Sequence, residues 1–105
     1  MLGLDDHTYT HLTHRADHED AFYIQPFGDL FAESKPDTLL TVSMTGEILS
    51  GIERIYNPTA YQTHGPLYRA RPDLQAIFHL HTPNMVAVSC LADGLMPISQ
   101  WALHF

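Results

Sequence analysis

An α/β domain with one hydrophobic core is the fold class that the sequence predicts, on three observations. Strand-length apolar segments alternate with helix-start chemistry, and turn residues separate them at short intervals. The 105 residues, 45% apolar with scattered charge, are enough for a single folded core with limited margin.

The elements follow in order along the chain. Thr8 to Arg15 favours a strand by its Thr and Tyr content, Ala21 to Gln25 is a second, and the polar Ala16-Asp17-His18-Glu19-Asp20 joins them as a hairpin. Pro26-Phe27-Gly28-Asp29 punctuates the second strand, and Leu30-Phe31-Ala32-Glu33 reads as one helical turn before Lys35-Pro36. Leu39 to Met44 and Glu47 to Leu49 flank Thr45-Gly46 as another hairpin. Asn57-Pro58-Thr59 then offers helix-start chemistry with Thr59 as the candidate cap, and Ala60 to Ala70 carries the helix. Pro66 removes a donor inside it, at a cost of about 3 kcal/mol in a regular interior, which predicts a bend.

Arg71-Pro72-Asp73 ends that helix ahead of the apolar run Ala76-Ile77-Phe78-His79-Leu80-His81. Thr82-Pro83 closes this strand and opens a helix from Pro83 to Leu91 that packs Val86, Val88 and Leu91 and stops at Asp93-Gly94. Leu95 to Ser99 starts a further strand. Cys90, the single cysteine, reads as a small buried hydrophobe, in keeping with a reducing compartment.

Charge and hydropathy narrow the function classes. Twelve acidic and five basic residues give a net charge of −7, which disfavours nonspecific binding to nucleic acid or to an anionic membrane. Any phosphate site must therefore be local. No apolar run approaches the ~20 residues of a membrane span. Met1-Leu2-Gly3-Leu4-Asp5-Asp6 lacks the basic and apolar regions of a signal peptide, which places the chain in the cytoplasm.

The chemistry-bearing residues centre on His79 and His81. Side chains alternate along a strand, so these two histidines project from one side while Phe78 and Leu80 face the other. Two imidazoles so placed can share one metal ion, and nitrogen donors favour Zn²⁺ over Mg²⁺ or Ca²⁺. With eight histidines in the chain the pair alone is weakly specific, and two rings satisfied by backbone or water are the competing reading.

Several linked motifs are more specific than that pair. Gly3-Leu4-Asp5-Asp6-His7-Thr8-Tyr9-Thr10-His11-Leu12-Thr13-His14-Arg15, Tyr23-Ile24-Gln25-Pro26-Phe27-Gly28, Tyr56-Asn57-Pro58-Thr59 and His64-Gly65-Pro66-Leu67-Tyr68-Arg69-Ala70-Arg71-Pro72-Asp73 come first. His79-Leu80-His81-Thr82-Pro83 and Pro97-Ile98-Ser99-Gln100 complete the series. In order and spacing, over essentially the whole chain, they resemble the class II aldolase and adducin N-terminal domain family, and its adducin-like bacterial branch most closely.

The resemblance implies a three-layer α/β/α sandwich around a mostly antiparallel central sheet, in a homo-oligomer with sites near subunit interfaces. It implies a zinc ion held by His79, His81 and a third histidine further downstream, polarising a small phosphorylated sugar for cleavage or epimerisation as an aldehyde-lyase does. Gly28 and Thr59 then fall at substrate-phosphate positions, with Phe27 and Pro58 where hydroxyl-bearing residues are usual, and His11 lies where the aldolases have asparagine. Ala60 occupies the usual acid/base position, which a methyl group cannot serve, and Tyr61 and His64 are the nearby candidates to replace it. Met1 and Phe105 fall inside the family's usual extent, so residues 1–105 are expected to form a single, incomplete domain in which His104 arrives too early to be the third ligand. A noncatalytic adducin-like interaction module and an inactive fragment lacking that ligand are the alternatives to an enzyme.

Overall fold

The computed structural model describes residue 4, residues 6–17 and residues 20–104. Five strands, β1 (His11–Arg15), β2 (Ala21–Ile24), β3 (Leu40–Ser43), β4 (Ile48–Ser50) and β5 (Ala76–His79), form one sheet in the order β4-β3-β2-β1-β5. Every neighbouring pair is antiparallel. Helices α1 (Pro58–Ala70) and α2 (Pro83–Ser89) and two 3-10 turns complete the α/β architecture. Among the described residues no helix is long and apolar enough to cross a membrane.

Period-two alternation sorts the strands onto two faces. His11, Thr13 and Arg15 of β1 share a face with Phe22 and Ile24 of β2, Leu40 and Val42 of β3, and Ile77 and His79 of β5, as the cross-strand register requires. Helix α1 covers that face, and Phe22, Ile24, Leu40, Val42, Met44, Ala60 and Tyr68 form the buried core between them. On the opposite face, Leu12, His14, Tyr23 and Phe78, with Phe31 and Leu39 from the β2–β3 connection, line an open cavity of about 310 Å³.

Local chemistry explains the element ends. Gly46, at φ +93°, closes the β3–β4 hairpin with its N–H donated to the Ser43 carbonyl at 3.0 Å. At the start of α1 the Asn57 side chain accepts from the Thr59 N–H at 3.1 Å, so Asn57, not Thr59, is the cap. Its carboxamide lies two residues before a free helix N–H, and Pro58 takes the first helical position, where a donor is dispensable. The helix continues through Pro66 as far as Ala70. Arg15 secures its far end, donating to the carbonyls of Tyr68 at 2.9 Å and Leu74 at 3.0 Å while its guanidinium lies 4.7 Å from the Tyr68 ring centroid.

The C-terminal third departs from expectation. Helix α2 stops at Ser89 rather than Leu91, and Val86 (43% exposed) and Leu91 (54% exposed) face outward. Cys90 is exposed as well, a correction of its reading as a buried hydrophobe. Local apolar pattern marks a side chain as able to pack, whereas burial needs an opposing element. Leu95 to Ser99 forms turns and bends instead of a strand, with Gly94 at φ +62° ahead of it and the donorless Pro97 within it.

Candidate metal centre

The β5 strand ends at His79, two residues short of bringing His81 onto the regular ladder. The two rings nevertheless converge. His79 Nε2 and His81 Nε2 lie 2.9 Å apart, with ring centroids 4.8 Å apart and planes at 79°. Behind His81, Nδ1 lies 2.8 Å from Asp6 Oδ2. A carboxylate only accepts, so His81 Nδ1 carries the proton and, in the neutral ring, Nε2 presents a lone pair toward His79. Carboxylate support on the far nitrogen is how metal-ligating histidines are commonly oriented.

Two more histidines back this pair. His11 stands directly opposite His79 in the β1–β5 register, and its ring stacks on that of His79 at 4.6 Å between centroids and 11° between planes. His11 also meets His64 of α1, with ring centroids 4.6 Å apart and planes at 59°. His64 and Tyr68 lie one helical turn apart on the buried face of α1 and converge on one hydroxyl. Thr13 Oγ1 lies 2.8 Å from His64 Nδ1 and 2.9 Å from the Tyr68 hydroxyl. His11 Nδ1 is buried without a hydrogen-bond partner.

Burial sets the charge state of the cluster. His11 and His64 are both held down at about 4, by desolvation first. Repulsion from neighbouring imidazoles adds to it, from His64, His79 and His81 for His11 and from His79 for His64. His79 is lowered too, by burial and then by His81. Rings that resist protonation keep their lone pairs at neutral pH, and metal ligation needs neutral imidazole.

Two imidazole nitrogens on one tetrahedral zinc stand ~3.3 Å apart, within a few tenths of an ångström of the observed separation. His79 and His81 therefore fit as two ligands. Among the described residues no group of three or more His, Cys, Asp or Glu is arranged to hold a metal ion. His104 is far from completing one: it is exposed and its ring lies 6.1 Å from that of Trp101.

The other predicted site residues divide. Gly28, at φ +102°, borders a shallow recess with Thr10, His11 and the cap residue Asn57. Thr59 lies exposed in the first turn of α1, its hydroxyl and amide both turned to the Asn57 carboxamide. Ala60 is fully buried in the core beside Phe22 and Tyr68. Tyr61 packs its ring against Gly46 and Gly65, away from the histidines, whereas His64 joins them through His11. Asp6, Thr13 and Tyr68 are the supporting residues that sequence reasoning missed. The i, i+4 spacing of His64 and Tyr68 was the one local signal available for them.

Comparison with known proteins places this geometry in context. Residues 1–105 match the Class II Aldolase and Adducin N-terminal domain. Alpha-adducin of Rattus norvegicus is 38% identical over 106 residues, covering 98% of this chain and 14% of the adducin. Among solved structures, an aldolase II superfamily protein from Pseudomonas syringae superposes with a TM-score of 0.85 at 38% identity, covering 97% of this chain and 41% of the other. An L-fuculose 1-phosphate aldolase from Glaciozyma antarctica superposes at 0.83 with 31% identity, covering 95% of this chain and 42% of the other. The chain thus spans about two fifths of the length of these solved neighbours and a smaller share of the adducin.

Proposed function

Because the chain belongs to the class II aldolase and adducin N-terminal domain family, we propose that it carries the two-histidine part of a zinc-dependent aldehyde-lyase site acting on a small sugar phosphate. The observation that carries this reading is the convergence of His79 Nε2 and His81 Nε2 at 2.9 Å with Asp6 behind His81. The similarity to an L-fuculose 1-phosphate aldolase supports the substrate class.

Zinc, when bound, supplies a Lewis acid that stabilises negative charge on a carbonyl or enediolate oxygen. His79 and His81 hold it, and Asp6 keeps the His81 proton on Nδ1. The Gly28 turn, free of a Cβ, lets its backbone approach an anion closely. The amino end of α1, beside the same recess at Asn57, favours the phosphate. The Thr59 hydroxyl on that first turn would reach the phosphate by turning away from the Asn57 carboxamide. The remaining metal ligand comes from outside the described residues, through solvent, further chain or a second copy in a homo-oligomer. The substrate class and a single free cysteine, Cys90, suit a cytoplasmic protein.

A second reading is favoured by Ala60. A methyl sealed in the core at the acid/base position suits a noncatalytic, adducin-like module that keeps the fold and acts through protein contacts.

Metal analysis of the purified chain, paired with a coupled assay over a panel of sugar phosphates, tests both. We expect close to one zinc per chain in the wild type, lost in a His79→Ala, His81→Ala double variant that still folds. A folded wild type that takes up no zinc overturns the metal reading. Zinc uptake without turnover of any sugar phosphate selects the noncatalytic module.

A further inference from the structure

His11 has no assigned part in the site, yet it is as deeply buried as His64. It is 2% exposed, and one ring nitrogen is sealed off without a partner. A histidine kept in such a slot is held there by something other than hydrogen bonding. Its ring contacts supply the reason. The ring lies nearly parallel to that of His79, directly across the β1–β5 ladder, and also meets the ring of His64.

His64 is itself locked from behind. The Tyr68 hydroxyl is buried, and its hydrogen-bond partner among the described residues is Thr13 Oγ1. The arrangement that leaves no buried proton stranded has Tyr68 donating to Thr13 and Thr13 donating to His64 Nδ1. His64 then carries its proton on Nε2, and its ring cannot turn over without breaking the relay. The rigid back wall fixes His11, and the flat face of His11 fixes the plane of His79.

We propose that His11 is a positioning residue: packed against both His64 and His79, its ring sets the orientation in which His79 Nε2 faces His81. This rests on the proposed metal role of His79 and His81 for its functional consequence. The orientation itself is a property of the metal-free chain. The role belongs to the flat face of His11 and not to its nitrogens, one of which is unused.

Three variants separate these roles. His11→Phe keeps a flat ring without nitrogens, His11→Leu fills the slot without a flat face, and His11→Ala empties it. Two readouts apply: the through-space NMR contact between the His79 and His81 imidazole protons in metal-free protein, and Zn²⁺ affinity by chelator competition. We expect His11→Phe to keep the contact and to bind zinc within about twofold of wild type. His11→Leu, and His11→Ala if it folds, should lose the contact and weaken binding by ~10- to 100-fold, the range seen for supporting groups around a metal. Loss of the contact in His11→Phe, or its survival in His11→Leu, overturns the proposal. If the wild type binds no zinc, the metal reading fails while the NMR contact still decides the role of His11.

Discussion

Asp6 and His81, seventy-five residues apart in sequence, meet through Oδ2 and Nδ1 at 2.8 Å. The contact ties the segment before β1 to the segment after β5 and fixes which nitrogen of His81 is free. Replacing Asp6 with Asn removes the charge while keeping the shape. We expect zinc affinity to fall ~10-fold, with thermal stability nearly unchanged because both side chains are partly exposed. Chelator competition on the two proteins measures the first and a melting curve the second.

The buried histidines make stability sensitive to acid. His11 and His64 have folded-state values of about 4, against about 6.5 when unfolded, so between those values the unfolded chain binds protons that the folded chain refuses. Stability therefore holds above pH 6.5 and declines as pH falls toward 4, by an amount on the order of 3 kcal/mol per ring at the acid end. Urea denaturation midpoints measured from pH 7.5 to 4 should show this decline. It should shrink in His11→Phe, which has one such ring fewer.

Thr13 serves two buried partners through one oxygen. Thr13→Val keeps the volume but strands both His64 Nδ1 and the Tyr68 hydroxyl. With roughly 1–3 kcal/mol for each unsatisfied group, a loss of about 2–6 kcal/mol follows. A chemical denaturation series on the variant measures it, and adding Tyr68→Phe to Thr13→Val should recover part of the loss.

A carboxylate introduced at position 60 would enter the core rather than an open site. Ala60 is 0% exposed and belongs to the same core cluster as Phe22, Ile24, Leu40, Val42 and Tyr68, so Ala60→Glu places an unpaired acid in the core. A destabilisation of about 4 kcal/mol or more is expected, by overpacking and desolvation together. Circular dichroism and a melting curve on the purified variant would settle it. A stable, folded Ala60→Glu protein would mean that this side of the core opens.

At the helix start, Asn57→Ala should cost about 1 kcal/mol, the usual worth of a side-chain cap. Thr59→Ala should cost less, since Thr59 follows the cap instead of forming it. Denaturation midpoints for the two variants rank them directly.

What could be read from the sequence was whatever neighbouring residues decide among themselves. Thr45-Gly46 announced the second hairpin because a positive φ is needed there, and Asn57-Pro58-Thr59 announced the start of α1, although the cap is Asn57 and not Thr59. The His79–His81 pair was visible through period-two spacing, although the ladder gives out at His79 and the rings meet across the strand end. Asp6 behind His81 and His11 against His79 were not visible, because antiparallel pairing of β1 with β5 is a long-range choice of register. The exposed Val86, Cys90 and Leu91 went astray for the same reason, since an apolar residue does not declare whether anything lies opposite it.

Within the sheet, β5 occupies a border and is bonded along one side to β1. A short outermost strand frays more readily than its inner neighbours, and His79 sits at its last rung. Metal captured at His79 and His81 would act as a clasp on that rung, slowing amide exchange at Ile77 and His79 well before it altered the protected centre of β2 and β3. Occupancy could then be followed at the margin of the sheet, by its backbone alone, without any substrate.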